Sequence, residues 1–409
     1  MKTPNVSGLE LRLAHPQRLG LRKRLGLGLF SKLYRDQVER HPLRTLFWEC
    51  TLRCNLDCRH CGSDCKSDHV LNAATKTTQA GAAPTAPTAP APQPQPQPAH
   101  SAQPAHPAHP DMPIEDFLKA LDSITPHVDP HKVMIVFSGG EVLMRRDLEK
   151  AGLEVYRRGY PWGMVTNGML LDEARFASLL KAGLHSITLS LDGFERDHIY
   201  IRRHPKSYEN ALRALRLITK EPSVAYDVVT CVTAESLKRL PEFREFLIAE
   251  GVKAWRVFTI FPVGRAATDP ALQLTDAQFT ELMEFIRQTR REGRIRLDYA
   301  CEGFLGGYET EVRDNFYHCS AGVTTGSIRI DGAISGCTSI RAAHHQGNIY
   351  TDDFMTVWNE KFQKFRRREW TRKEQCADCR MWRWCLGGGM HLYDDNDKLL
   401  LCHYNRLNG

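Results

Sequence analysis

Cys54-Asn55-Leu56-Asp57-Cys58-Arg59-His60-Cys61 sets three thiols at the spacing Cys-x3-Cys-x2-Cys. Iron–sulfur clusters are held by cysteine thiolates, and a four-iron cube ordinarily takes four of them. Three ligands therefore leave one iron open to another molecule. A zinc site instead closes all four positions, commonly with two separated Cys-x2-Cys pairs, and no second pair lies near this loop. Cys50 and Cys65 flank it, but only Cys54, Cys58 and Cys61 fit the spacing, and the flanking pair receives no role.

Outward from the loop, residues 43–48 read as a short strand that delivers the cysteines at its carboxyl end. Downstream, helical patterns at 114–124, 147–157, 172–182, 208–218 and 240–250 each precede an apolar run, at 133–137, 162–166, 186–190, 224–232 and 254–260. Six strands alternating with helices of this length predict an α/β fold with a parallel sheet and right-handed crossovers. Residues 66–111 interrupt the pattern with repeated Ala-Pro, Gln-Pro and Ala-His-Pro units. That stretch lacks large apolar residues and reads as a disordered insertion, its His100, His106 and His109 as solvated linker residues.

Chemistry-bearing residues cluster where the predicted strands end. The second is followed by Ser138-Gly139-Gly140-Glu141, the third ends in Thr166-Asn167-Gly168 and the fourth in Ser190-Leu191-Asp192-Gly193. Consecutive glycines let a backbone approach a ligand closely, and alternation puts Ser190 and Asp192 on one side of their strand. Arg202 and Arg265 lie on later connections as candidate anion binders.

The cysteine loop and these motifs, in this order, resemble the radical S-adenosylmethionine (SAM) enzymes. The resemblance implies a partial (β/α)6 TIM-like barrel with its site at the strand carboxyl ends. It implies a 4Fe-4S cluster on Cys54, Cys58 and Cys61 whose open iron chelates the amino and carboxylate groups of SAM. Reductive cleavage of SAM then yields a 5′-deoxyadenosyl radical that abstracts hydrogen. Ser138, Gly139, Gly140, Glu141, Asn167, Ser190, Asp192 and Arg202 are the implied cofactor-binding residues, with the Glu141 side chain on the SAM ammonium and Ser190 and Asp192 on the ribose. No catalytic base is assigned.

Beyond a predicted helix at 275–292 come Cys301, Cys319, Cys337, Cys376, Cys379, Cys385 and Cys402, with an Asp331-Gly332 hairpin turn between the second and third. Cys319, Gly332-x4-Cys337, Cys376-x2-Cys379-x5-Cys385 and Cys402 resemble the SPASM extension of radical SAM enzymes, an α+β module that binds auxiliary iron–sulfur clusters. The resemblance implies one closed site on Cys376, Cys379, Cys385 and Cys402, and a second on Cys301, Cys319 and Cys337. Gly389 stands where the pattern has another cysteine, and His391 is read as a structured histidine in preference to a substitute ligand. Thr338 replaces the aspartate that sulfatase-maturing relatives carry after Cys337, which argues against formylglycine formation.

The expected organisation is a basic amino-terminal segment (1–42), the barrel (43–270), a linking helix (271–295) and the auxiliary-cluster module (296–409). Within the first segment, a helix at 28–38 with Leu29, Phe30, Leu33 and Val38 on one side is expected to pad the barrel. A net charge of +7 over 409 residues, with interspersed acids, argues against nucleic-acid binding. Thirteen cysteines without a signal peptide or a transmembrane run suggest metal-bound thiols in a reducing cytoplasm. Cys231, inside the fifth strand, reads as a buried small hydrophobe. The leading expectation is modification of a peptide or protein side chain, with an electron donor such as flavodoxin or ferredoxin. A small-metabolite substrate and a zinc-binding interaction protein are the alternatives.

Overall fold

The computed structural model describes residues 19–63, 65–67, 110–340 and 344–408. Most of the proline-rich insertion, with His100, His106 and His109, lies outside the described residues, as does all of the segment before Leu19. The strands are β1 (Thr45–Thr51), β2 (Met134–Gly139), β3 (Trp162–Thr166), β4 (Leu184–Ser190), β5 (Ala225–Cys231) and β6 (Ala254–Phe258). They pair in parallel in sequence order, and the helices Ile114–Ile124, Leu148–Arg157, Glu173–Lys181, Ser207–Ile218 and Leu240–Ala249 connect them. The helical and strand periods in the sequence thus predicted the partial barrel.

Alternation along each strand divides the barrel into two faces. On β4, Ile187 and Leu189 are buried toward the helices, whereas Ser186 and Thr188 face a cavity inside the barrel. The outer core is aromatic: Trp48 stacks on Phe117 at 4.3 Å and meets Phe137 edge-on at 5.0 Å, and Phe137 packs on Trp162 at 4.9 Å. Trp48→Ala in this core would cost about 3–5 kcal/mol. Trp48 sits six residues before Cys54, so the same packing fixes the strand that presents the cysteine loop.

The sheet continues past the expected boundary at residue 296. A strand at Arg296–Tyr299 (β7) pairs in parallel with β6, and Thr325–Ile328 (β8) pairs in parallel with the free edge of β1. From β8 the Asp331-Gly332 turn leads into Ala333–Ser335 (β9), antiparallel as its turn residues predicted, and Gly347–Asn348 (β10) closes the edge. Among the described residues ten strands form one sheet, in the order β10-β9-β8-β1-β2-β3-β4-β5-β6-β7. The linking helix spans Asp276–Glu292, opened by a Thr275–Gln278 capping box and stopped by Gly293 at φ +68°.

The amino-terminal helix corrects the sequence expectation. It spans Leu21–Arg40, and Leu29 and Leu33 are exposed at 64% and 60%. Its buried residues, Leu27 and Tyr34, pack on the cysteine-rich third: Tyr34 donates a 2.8 Å hydrogen bond to Cys319 O, and Phe316 lies against Gly26. The helix therefore covers the auxiliary module instead of padding the barrel.

Candidate metal centre and cofactor site

The cysteine loop crosses the carboxyl ends of the barrel strands, where every neighbouring strand end contributes a fastener. From β2, Gly140 N donates to Thr51 O and Glu141 N to Arg53 O, both at 2.8 Å. These contacts explain the glycines. A Cβ at Gly139 (φ +135°) would stand 2.1 Å from Thr51 O, and one at Gly140 2.1 Å from Arg53 O. The pair admits the stem of the cysteine loop, where the sequence suggested room for a ligand.

Glu141 is likewise turned inward. It is 1% exposed; Oε1 accepts from Thr166 Oγ1 (2.7 Å) and Leu143 N (3.1 Å), and Oε2 from Asn167 N (2.8 Å). Its carboxylate braces the end of β3. Asn167 Nδ2, held in this way, donates to Asn55 Oδ1 at 2.8 Å and fastens the loop from a third strand. Ser138 Oγ and Asn55 Nδ2 are buried and, among the described residues, lack hydrogen-bond partners. Such orphaned polar atoms beside the thiols are what a bound polar cofactor would satisfy.

From β4, Asp192 is fully buried and its oxygens are taken: Oδ1 accepts from Cys231 N at 2.9 Å and Oδ2 from Arg202 Nε at 2.6 Å. Burial opposes ionisation, but Arg202, His60 and His198 outweigh it and hold the carboxyl at about 2. Asp192 thus holds Arg202, while Ser190 is half-buried at the end of β4. Arg202 Nη1 reaches to 3.8 Å from Cys58 Sγ and brings positive charge to the thiol loop. His60, inside the loop, is pushed down to about 4 by burial and is neutral; its Nδ1 lacks a partner among the described residues. Cys231 belongs to this polar node, its ligand atom and those of His60 and Asp192 all within 4.8 Å of one another. That placement corrects its reading as a plain hydrophobe.

Arg265 is partly buried against the loop and pairs with Asp57 at 3.4 Å. Its Nε donates to Cys58 O at 2.7 Å, Nη1 to Cys65 O at 3.2 Å, and its backbone N to Cys61 O at 3.0 Å. The loop is also pinned by Arg59 to Asp269 at 2.8 Å and Arg203 to Asp57 at 3.1 Å.

Cys54 and Cys58 are each 7% exposed and cluster with Leu56, Cys61 and Met169 in an apolar nest. The three predicted ligands are therefore together, and an all-sulfur donor set beside a guanidinium fits an iron–sulfur cluster. Cys65 joins them, with Sγ 3.5 Å from Cys61 Sγ, and a hydrogen bond with Cys54 is the foremost influence raising its own thiol to about 11. Its position, outside any known spacing and at the edge of the insertion, gave no signal in the sequence. Lys66 and Ser67 pair with Arg53 and Cys54, and Asp111 bridges to Thr51 and binds Arg53 at 2.7 Å. The insertion therefore begins and ends on the loop's stem, and the boundary residues assigned to it are part of the site.

A partly open cavity of about 560 Å³ runs from Ser186 and Thr188 past Asp227 and Arg256 to Cys301. Arg256 Nη2 meets Asp227 at 2.8 Å, while its Nε is buried with no hydrogen-bond partner among the described residues. Cys301 sits on the cavity wall as an exposed residue whose sulfur is turned inward; desolvation of the thiol, then the neighbouring Cys337 and Cys319, raise it to about 11. Those three thiols neighbour one another, as a second auxiliary set would require. Cys376, Cys379, Cys385 and Cys402 form the other: burial first, then Cys402, Cys376 and Cys379, drive the Cys385 thiol well up.

A partial parallel barrel with three clustered thiols at its mouth, two of them buried, and further thiols gathered in the carboxyl third defines an iron–sulfur radical enzyme. Family comparison agrees: residues 48–247 match the radical SAM superfamily and residues 319–380 an iron-sulfur cluster-binding domain, SPASM. The chain thus carries a radical SAM domain and a SPASM domain that binds auxiliary iron–sulfur clusters. It is 24% identical over 366 residues to the AdoMet-dependent heme synthase of Methanosarcina barkeri, covering 84% of this chain and 90% of that one. It is 24% identical over 263 residues to the PqqA peptide cyclase of Bradyrhizobium diazoefficiens, covering 60% and 66%. Native anSMEcpe with bound AdoMet shares the fold at a TM-score of 0.63 and 18% identity, over 90% and 94% of the two chains. The zinc-protein alternative is thereby set aside. Among the described residues no helix is long and apolar enough to cross a membrane.

Proposed function

We propose that the chain is a radical SAM enzyme acting on a compact carboxylate-bearing small molecule, an iron tetrapyrrole first among candidates, seated in the barrel cavity. The observation that carries this reading is Arg256: its guanidinium lines a cavity of about 560 Å³ and keeps one N–H without an acceptor. That volume lies within the range usual for small-molecule sites, and an arginine fork suits carboxylates. Similarity to the heme synthase along most of both chains supports the same substrate class. When bound, the cluster on Cys54, Cys58 and Cys61 and its SAM supply a 5′-deoxyadenosyl radical for hydrogen abstraction. The chain's part is to hold the loop through Arg202, Arg265 and Asn167, and to orient the substrate between Ser186 and Cys301. Ser138 Oγ and Asn55 Nδ2 are assigned as polar contacts to SAM. A flavodoxin or ferredoxin would donate the electron, as suits a reducing cytoplasm.

A peptide side chain is the second reading, favoured by the likeness to PqqA peptide cyclase. One experiment separates the two. Anaerobically reconstituted protein is given SAM and dithionite with an iron-bound coproporphyrin or with a panel of short peptides. Release of 5′-deoxyadenosine stimulated by the tetrapyrrole alone supports the first reading; stimulation by peptide alone overturns it.

A further inference from the structure

We propose that His391 supplies an imidazole ligand that completes the auxiliary cluster on Cys301, Cys319 and Cys337, in place of the thiolate absent at Gly389. The glycine itself is the starting point. Gly389 has φ −76° and ψ 147°, an extended backbone open to any residue, so conformation does not require glycine there. Crowding does. A Cβ at this position would stand 2.5 Å from His391 Cε1, 2.7 Å from His391 Nδ1 and 3.3 Å from Tyr317 Oη. The imidazole occupies the space into which a cysteine at 389 would project its sulfur. A tight turn at Met390–Leu392, closed by Leu392 N donating to Gly389 O at 3.0 Å, folds the ring back over the glycine.

The ring is built like a ligand. Its Nε2 is buried with no hydrogen-bond partner among the described residues, and Phe261 holds the ring plane from 4.8 Å. Burial, then His403 and Arg368, bring its pKa to about 3, which leaves it neutral, the form that binds metal. The neighbourhood joins the incomplete thiol set to the other one. Tyr317, two residues before Cys319, neighbours Cys319 first, then Cys385 and Cys301. Arg368 faces Cys319 and donates to Gly388 O at 2.9 Å. Histidine is an accepted iron ligand in clusters and raises their potential relative to thiolate. The other set, Cys376, Cys379, Cys385 and Cys402, contains only sulfur, so a nitrogen ligand would be diagnostic.

The full-length chain carrying Cys54→Ala, Cys58→Ala and Cys61→Ala, labelled with 15N-histidine, is reconstituted, reduced and read by pulsed EPR. A strong directly bound 15N coupling is expected, and it should vanish when His391→Gln is added. A version with Gly389→Cys and His391→Ala should lose the coupling yet hold about eight irons, two cubes' worth, which shows that the module still folds. Absence of nitrogen coupling in the parent, or its persistence with His391→Gln, overturns the proposal; a phenolate band from Tyr317 without nitrogen coupling does so equally.

Discussion

Arg202 Nε stands 2.6 Å from Asp192 Oδ2 in an ion pair that leaves the arginine 7% and the aspartate 0% exposed. Removing one member of a buried pair strands the other's charge, so Asp192→Asn should destabilise the barrel by about 3–5 kcal/mol, read from urea unfolding of the apo-protein. The folded carboxyl titrates at about 2, below its unfolded value of about 3.9. Its contribution is therefore fully present above about pH 4 and is lost as pH falls through 2. The variant should lack that part of the acid sensitivity.

The loop thiols and the auxiliary thiols are separate sets in space. Replacing Cys54, Cys58 and Cys61 together by alanine should abolish reductive cleavage of SAM and leave auxiliary iron in place. Assays of 5′-deoxyadenosine under dithionite and of iron and sulfide per chain check both halves; residual cleavage would refute the ligand assignment.

Arg265 reaches two loop carbonyls, Cys58 O and Cys65 O, with one guanidinium. Hydrogen bonds from a charged donor are worth about 1.5–3 kcal/mol each. Arg265→Ala should accordingly speed chelator-driven loss of loop iron about tenfold or more, with auxiliary iron unaffected. Time courses of iron release, with and without the loop thiols, measure it.

Cys65 adds a fourth sulfur next to Cys61. If the cluster uses only the three spaced thiols, Cys65→Ser should keep both the iron content and the SAM cleavage of the parent. Loss of iron equal to that of Cys61→Ala would make Cys65 an obligatory ligand.

Arg256 presents its guanidinium to the cavity. Arg256→Gln should raise KM for a carboxylate substrate by about tenfold or more and change kcat little, because the contact is made equally before and during the reaction. Steady-state kinetics across a carboxylate substrate and its ester decide it, since the ester should be insensitive to the change.

Much of this architecture could be read in advance because its signals are local. The periods that placed Ile114–Ile124 and Trp162–Thr166 depend on neighbours in sequence, and so does the Asp331-Gly332 turn. The motif residues stand at the strand ends, and the contacts they make within the chain had no local signal. Glu141, Asp192 and the two glycines recur at their expected places and spend their polar atoms or their missing side chains on the protein itself. Which group a carboxylate faces is decided by chain crossings dozens of residues apart, as when Arg202 and Cys231 N converge on Asp192. Leu29 and Leu33 misled for the same reason: helical period says which residues share a face, whereas the docking of Tyr34 on Cys319 O decides which face is inside.

The two edges of β1 are occupied by different parts of the chain, β2 of the barrel on one side and β8 of the auxiliary module on the other. The strand that ends at the radical-initiating thiols is therefore also the strand on which the auxiliary hairpin is hung. Among the described residues the barrel and the auxiliary hairpin thus share one hydrogen-bonded ladder, and its register, from Thr45 opposite Thr325 to Trp48 opposite Ile328, joins the two thiol-bearing parts of the chain.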